Sequence, residues 1–165
     1  MPGPTEGVGT MAGPGDGATG LRPLIRLRLP ASRPAVRAAL RDVGATLARF
    51  GLDQEVRSVT ELVLAEALNN VVEHAYRDGD GDIALDLDLV ACGLAVTLRD
   101  KGRSLPDGRL PAGTLPAIGP DRDSLPEGGF GWYIIRSLSS RLSYHSAAGR
   151  NTLRLSIPFD RAGHA

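Results

Sequence analysis

Glu66, Asn70 and His74 are spaced i, i+4 and i+8 in the apolar run from Leu62 to Tyr76, so on a helix they stack along one line. A carboxylate at such a position can take a proton from a hydroxyl nucleophile. An amide oxygen one turn later is a hard donor of the kind magnesium accepts. Val59, Leu62, Val63 and Ala67 flank the line, so it is not an ordinary solvated face. Polar groups inset in an apolar face cost free energy unless partnered, and a metal with a phosphate ligand would partner them. A bland reading stands beside this one, in which Glu66 and Asn70 cap or bridge neighbouring loops. Three further pieces could do chemistry. Asp100-Lys101-Gly102 ends an alternating apolar run. Gly129-Phe130-Gly131 opens a helical run, where backbone N–H groups and the helix dipole favour an anion. Asn151-Thr152 begins the last alternating run. Taken singly, Asp100 and Gly102 read as a strand-end turn and Thr152 as an ordinary strand threonine. His74 reads as a helix-end hydrogen-bonding residue, and Trp132 and Tyr133 as packing residues.

The elements that must position these residues are readable from periodicity. Leu64, Leu68, Val71, Val72 and Ala75 give the Glu66 helix a core face, and Asp53 can cap it. The helix is expected to run to about Tyr76. Upstream, Ile25, Leu27 and Leu29 alternate with Arg26 and Arg28 in a half-buried strand ended by Pro30. Ser32 is an N-cap with Pro34 in the first turn, and Val36, Leu40, Val43, Leu47 and Phe50 form an amphipathic stripe closed by Gly51. Asp78 to Gly81 is a turn. Ile83, Leu85, Leu87 and Leu89, then Leu94, Val96 and Leu98, alternate as a hairpin. Leu153, Leu155 and Ile157 make a fourth strand. Each strand has one apolar and one polar edge, which predicts a largely antiparallel sheet with helices on one face and water on the other. The fold class is therefore α+β, a two-layer α/β sandwich. Arg26, Arg28, Asp86, Asp88 and Arg154 should lie on the wet face and pair across strands. Residues 101–128 break the pattern with prolines at 106, 111, 116, 120 and 126, a loop long enough to be functional or disordered.

Composition sets the outer limits. The 165 residues are 42% apolar, which suits one globular domain with a core. Nineteen Lys+Arg balance nineteen Asp+Glu with no basic cluster, so neither direct nucleic-acid binding nor an anionic membrane surface is expected. Cys92 has no internal partner for a disulfide, which fits a reducing compartment. No transmembrane run or signal-peptide order is present, and the expected location is the cytoplasm. Residues 1–21 read as a disordered Gly/Pro-rich tail, 22–159 as the folded domain and 160–165 as a second tail.

In this order, the helix with Glu66-x-x-x-Asn70, the strand ending in Asp100-x-Gly102, the long loop, Gly129-x-Gly131 and Thr152 resemble the GHKL ATPase superfamily and its Bergerat fold. Within it the chain looks like the stand-alone anti-sigma-factor serine/threonine kinases (the RsbW/SpoIIAB type), over about residues 22–159. That resemblance implies a mixed, largely antiparallel sheet and the cofactors ATP and Mg2+. It implies that Asn70 is the magnesium ligand and Glu66 the general base. Asp100 would accept the adenine amino group, and Gly102 would let the backbone pass close to the base. Gly129, Phe130 and Gly131 would lie under the phosphates, Thr152 near the adenine, and residues 103–128 would form the nucleotide lid. The implied function is phosphorylation of a Ser/Thr on an anti-sigma-factor antagonist of the STAS type, with capture of a sigma factor; a homodimer is also implied. The alternative is a binding module of the same fold with little or no transfer. Glu127 stands where some relatives place an Arg that reaches the γ-phosphate, and Arg122 or Arg103 could take that part.

Overall fold

The computed structural model describes residues 20–77, 79–113 and 130–159. The tails at 1–19 and 160–165, Asp78, and the second part of the long loop with Arg122, Glu127, Gly128 and Gly129 lie outside the described residues. Five strands, β1 (Arg22–Pro30), β2 (Asp82–Val90), β3 (Gly93–Asp100), β4 (Ser140–Ala147) and β5 (Arg150–Pro158), form one sheet in the order β1-β2-β3-β5-β4. All four pairings are antiparallel. The helices α1 (Arg33–Arg49), α2 (Gln54–Asn70) and α3 (Phe130–Leu138) lie side by side, α2 packing against both others and α1 also against β1. The expected two-layer sandwich is the observed one.

Alternation builds the core. Ile83, Leu85, Leu87 and Leu89 of β2, Leu94, Val96 and Leu98 of β3, and Leu153, Leu155 and Ile157 of β5 are buried under the helices. They meet Val36, Val43 and Leu47 of α1, Val63, Leu64 and Leu68 of α2, and Ile135 of α3. The intervening polar residues pair on the open face. Arg26 bonds Asp88 and lies 3.6 Å from Asp86, Arg99 bonds Asp86, and Arg28 lies 3.7 Å from Asp82. Such exposed pairs contribute about 0–1 kcal/mol each, so apolar burial dominates stability. Ser32 caps α1 as expected, its Oγ accepting from Ala35 N at 3.4 Å.

Two expectations need correction. The α-helix does not continue to Tyr76: it stops at Asn70 and Val71–Ala75 form a π turn, with Tyr76 N donating to Val71 O at 3.2 Å. A second segment occupies this end of the helix. Arg103 N donates to Ala75 O at 2.8 Å, and a Cβ on Gly102 would lie 2.5 Å from that same oxygen. Tyr76 fixes the far side, its hydroxyl donating to Asp82 O at 3.2 Å and accepting from Lys101 N at 2.9 Å. The other correction is β4, which has no counterpart among the four strands expected. It is an edge strand, mostly exposed and serine-rich, with a register irregularity between Ser140 and Ser143. Its signal was Leu142 and Tyr144 alternating with Arg141, Ser143 and His145, ahead of the Ala148-Gly149 turn.

Candidate functional site

A cavity of about 650 Å³ opens where the end of α2, its π turn, the end of β3, the loop after it, α3 and β5 converge. That volume suits a small-molecule ligand. Asn70, His74 and Ala75 wall it on one side, Asp100 and Arg103 on another, and Trp132, Tyr144 and Asn151 close it.

Asn70 is the polar residue that α2 delivers to this space. Its Nδ2 is buried and has no hydrogen-bond partner among the described residues. The assignment of amide oxygen and nitrogen follows from partners, so a half-turn of this amide would present Oδ1 at the same place. Gly131, the second residue of α3, comes up against the same line of α2. A Cβ there would sit 2.6 Å from Glu66 Oε2 and 3.7 Å from Asn70 Nδ2. Glu66, Asn70 and Gly131 are therefore brought together as expected, although Glu66 and Gly131 adjoin the cavity through Asn70 rather than wall it. Phe130 begins α3 and is 40% exposed, outside the cavity wall. Gly129 lies outside the described residues.

Across the cavity, the Asp100 carboxylate accepts two hydrogen bonds at Oδ1, from Gly102 N at 2.9 Å and from Asn151 Nδ2 at 2.8 Å. The missing Cβ of Gly102 is needed by the chain itself, for its approach to Ala75. Thr152 is not brought to the cavity. It lines an adjoining depression of about 480 Å³ with Arg28, Arg99 and Arg150, which shares only Asp100 and Asn151 with the cavity. Its neighbour Asn151 points inward instead, 3% exposed, and takes the place expected of Thr152. Period-two alternation with Leu153 and Leu155 already put Asn151 on the helix side, and that signal was in the sequence. Tyr144, Trp132 and Arg77 also wall the cavity and were not anticipated there.

Residues 29–157 match the family model described as a histidine kinase-like ATPase domain. The chain belongs to that family. As a histidine kinase-like ATPase domain it is 26% identical over 130 residues to the serine-protein kinase RsbW of Bacillus cereus (strain AH820), covering 78% of this chain and 81% of that protein. It is as similar to the RsbW of Bacillus thuringiensis (strain Al Hakam), with the same identity and coverage. Among solved structures it is similar to the RsbU and RsbW domains of a Mycobacterium tuberculosis protein, with a TM-score of 0.50 and 18% identity. That match covers 81% of this chain and 32% of the other, and it bears on the fold alone.

Family membership implies ATP use, and the residues present fit it. A partly apolar cavity of nucleotide size is lined by a carboxylate, Asp100, and by a buried amide, Asn70, whose Nδ2 has no hydrogen-bond partner among the described residues. No group of three or more His, Cys, Asp or Glu able to hold a metal occurs among the described residues. A magnesium held through Asn70 would therefore draw its remaining ligands from water and phosphate oxygens, which suits that ion. No helix among the described residues is long and apolar enough to cross a membrane.

Proposed function

We propose that this protein is an ATP-dependent protein serine/threonine kinase acting in the cytoplasm, with residues 22–159 as its catalytic domain. Its substrate is a Ser or Thr on an anti-sigma-factor antagonist, and it sequesters a sigma factor in a partner-switching system. The observation that carries the reading is the convergence of Glu66, Asn70 and Gly131 at the margin of a cavity that Asp100 also lines. The names of the RsbW relatives point the same way.

Phosphoryl transfer asks the protein mainly for positioning and charge neutralisation. Asp100 accepts the adenine amino group. Asn70 would hold magnesium, which when bound would neutralise charge on the phosphate oxygens. Arg103 and Arg77, both in the cavity wall, bring positive charge to the polyanionic nucleotide. Glu66 accepts the proton of the substrate hydroxyl as its oxygen forms a bond to the γ-phosphorus. The bond from that phosphorus to the β-γ bridging oxygen breaks, and ADP leaves with the electron pair.

Transfer of radiolabelled γ-phosphate to the cognate antagonist tests this reading. Glu66→Gln should keep nucleotide and lower transfer by roughly 10²-fold, the low end for a positioned base because a dissociative transition state asks little of it. Wild-type transfer by Glu66→Gln would make Glu66 structural. No transfer by the wild-type protein, with ATP bound, would leave a binding module that uses nucleotide to shape a partner surface.

A further inference from the structure

Asn151 and Tyr144 form a hydrogen-bonded chain that no role assigned so far uses. Leu105 N donates to Tyr144 Oη at 3.0 Å. The hydroxyl proton of Tyr144 goes to Asn151 Oδ1 at 2.9 Å. Asn151 Nδ2 then donates to Asp100 Oδ1 at 2.8 Å and to Gly102 O at 3.1 Å. The direction of the chain is fixed chemically. Tyr144 Oη already accepts from an amide, so its proton is the one given to Asn151. A flipped Asn151 would put its oxygen against a carboxylate and a carbonyl, so the amide has one workable orientation. Asn151 is buried, and bonds to an ionised acceptor in such surroundings reinforce one another.

We propose that Asn151 is a positioning residue, backed by Tyr144, which fixes the Asp100 carboxylate for the nucleobase amino group and ties that carboxylate to the chain at 102–105. The inference rests on the proposed ATP site and deepens it. With Gly102 N and Asn151 Nδ2 both on Oδ1, Oδ2 remains as the acceptor for a donor in the cavity, and the side chain cannot rotate without breaking two bonds. Selectivity for a 6-amino over a 6-oxo purine then depends on Asn151 as well as on Asp100. A 6-oxo group presents an acceptor to the fixed carboxylate and is disfavoured. The same bonds couple occupancy of the base site to the backbone that leaves β3, through Gly102 and Leu105.

The test is titration calorimetry of the full chain with magnesium ATP and magnesium ITP, in wild type, Asn151→Leu and Tyr144→Phe. Asn151→Leu keeps volume and removes the donors. Its ATP affinity should fall about 10- to 100-fold, the usual worth of a bond to a charged group. ITP affinity should change far less, so the ATP/ITP ratio collapses. Tyr144→Phe keeps the ring and orphans Asn151 Oδ1 and Leu105 N, and its ratio should fall several-fold. In hydrogen exchange, ATP should slow the 102–105 amides in wild type and not in Asn151→Leu. Equal loss of both nucleotides would make Asn151 a fold residue and overturn the proposal. If Asn151→Leu does not fold, an unchanged ratio in Tyr144→Phe overturns it. A wild-type protein that binds neither nucleotide, or both equally, sinks the ATP reading at Asp100 itself, an outcome distinct from the variant results.

Discussion

Gly131→Ala separates the catalytic placement of Glu66 from its contribution to the fold. The added Cβ would lie 2.6 Å from Glu66 Oε2. An ordinary carbon–oxygen contact is about 3.3 Å or longer, so the carboxylate must withdraw by roughly 0.7 Å. The atom that must move is the end of a flexible side chain, and Glu66 has no hydrogen bond or ion pair among the described residues to hold it back. The displacement is therefore inexpensive for stability. Alanine in a helix is favoured over glycine by about 0.5–1 kcal/mol, which offsets part of it. Net stability should stay within about 1 kcal/mol, and Tm within about 4 °C for a chain of this size. Function is less tolerant. A catalytic group misplaced by about 1 Å can lose ~10²-fold, so transfer to the antagonist should fall roughly 10- to 100-fold. Asn70 Nδ2 lies 3.7 Å from the added atom, an ordinary contact, so ATP binding should survive.

The assay pairs single-turnover transfer with calorimetric ATP binding and thermal unfolding. Its control is the double-mutant cycle with Glu66→Ala. Once the carboxylate is gone the clash is gone, and Gly131→Ala should add nothing further to the loss of rate. Wild-type transfer in Gly131→Ala would refute the reasoning, as would full additivity in the cycle. A loss of several kcal/mol in stability would show that the neighbour which gives way is backbone and not the Glu66 side chain.

Three other outcomes follow from the packing. Gly102→Ala puts a Cβ 2.5 Å from Ala75 O and 2.7 Å from Ala75 Cβ, where no side-chain rotation relieves it; urea denaturation should show a loss of about 1–3 kcal/mol. Leu85→Ala, at a fully buried position in the middle of β2, should cost about 2–5 kcal/mol in the same measurement. Asp86→Ala removes the partner of Arg26 and Arg99 on the open face and should cost no more than about 1 kcal/mol, a difference that shrinks further at 1 M salt.

What the sequence disclosed and what it hid divide along physical lines. Strands β1, β2, β3 and β5 were legible because each is apolar at every second residue, the pattern of a sheet buried on one face. Edge strand β4 was not, since its outer backbone is solvated and little apolar surface is required to place it. On α2, the i, i+4 spacing put Glu66 and Asn70 on one line, and Gly131 meets that line, because helical geometry is local. The π turn after Asn70 was invisible, because its cause is Gly102 and Arg103 arriving from a segment nearly thirty residues away. Thr152 failed for a different reason. The residue type drew attention, whereas the alternation of β5 decides which side chain faces the cavity, and it decides for Asn151.

These contacts make the end of α2 the common reference for both sides of the site. Gly131 brings α3 down onto Glu66 and Asn70, and Gly102 brings the exit of β3 down onto Ala75. The first approach sets where α3 sits relative to Glu66 and Asn70, and the second sets where Asp100 sits. The π turn lies between the two contact points, so the added residue in its wider turn fixes their spacing and rotation about the helix axis. Tyr76 then locks the arrangement to β2 and to Lys101 beside Asp100. A carboxylate on a strand and an amide on a helix thus wall one cavity. The approach at Gly102 is to backbone, at Ala75 O, whereas the approach at Gly131 is to the Glu66 and Asn70 side chains, so the strand side of the cavity is held more rigidly than the helix side.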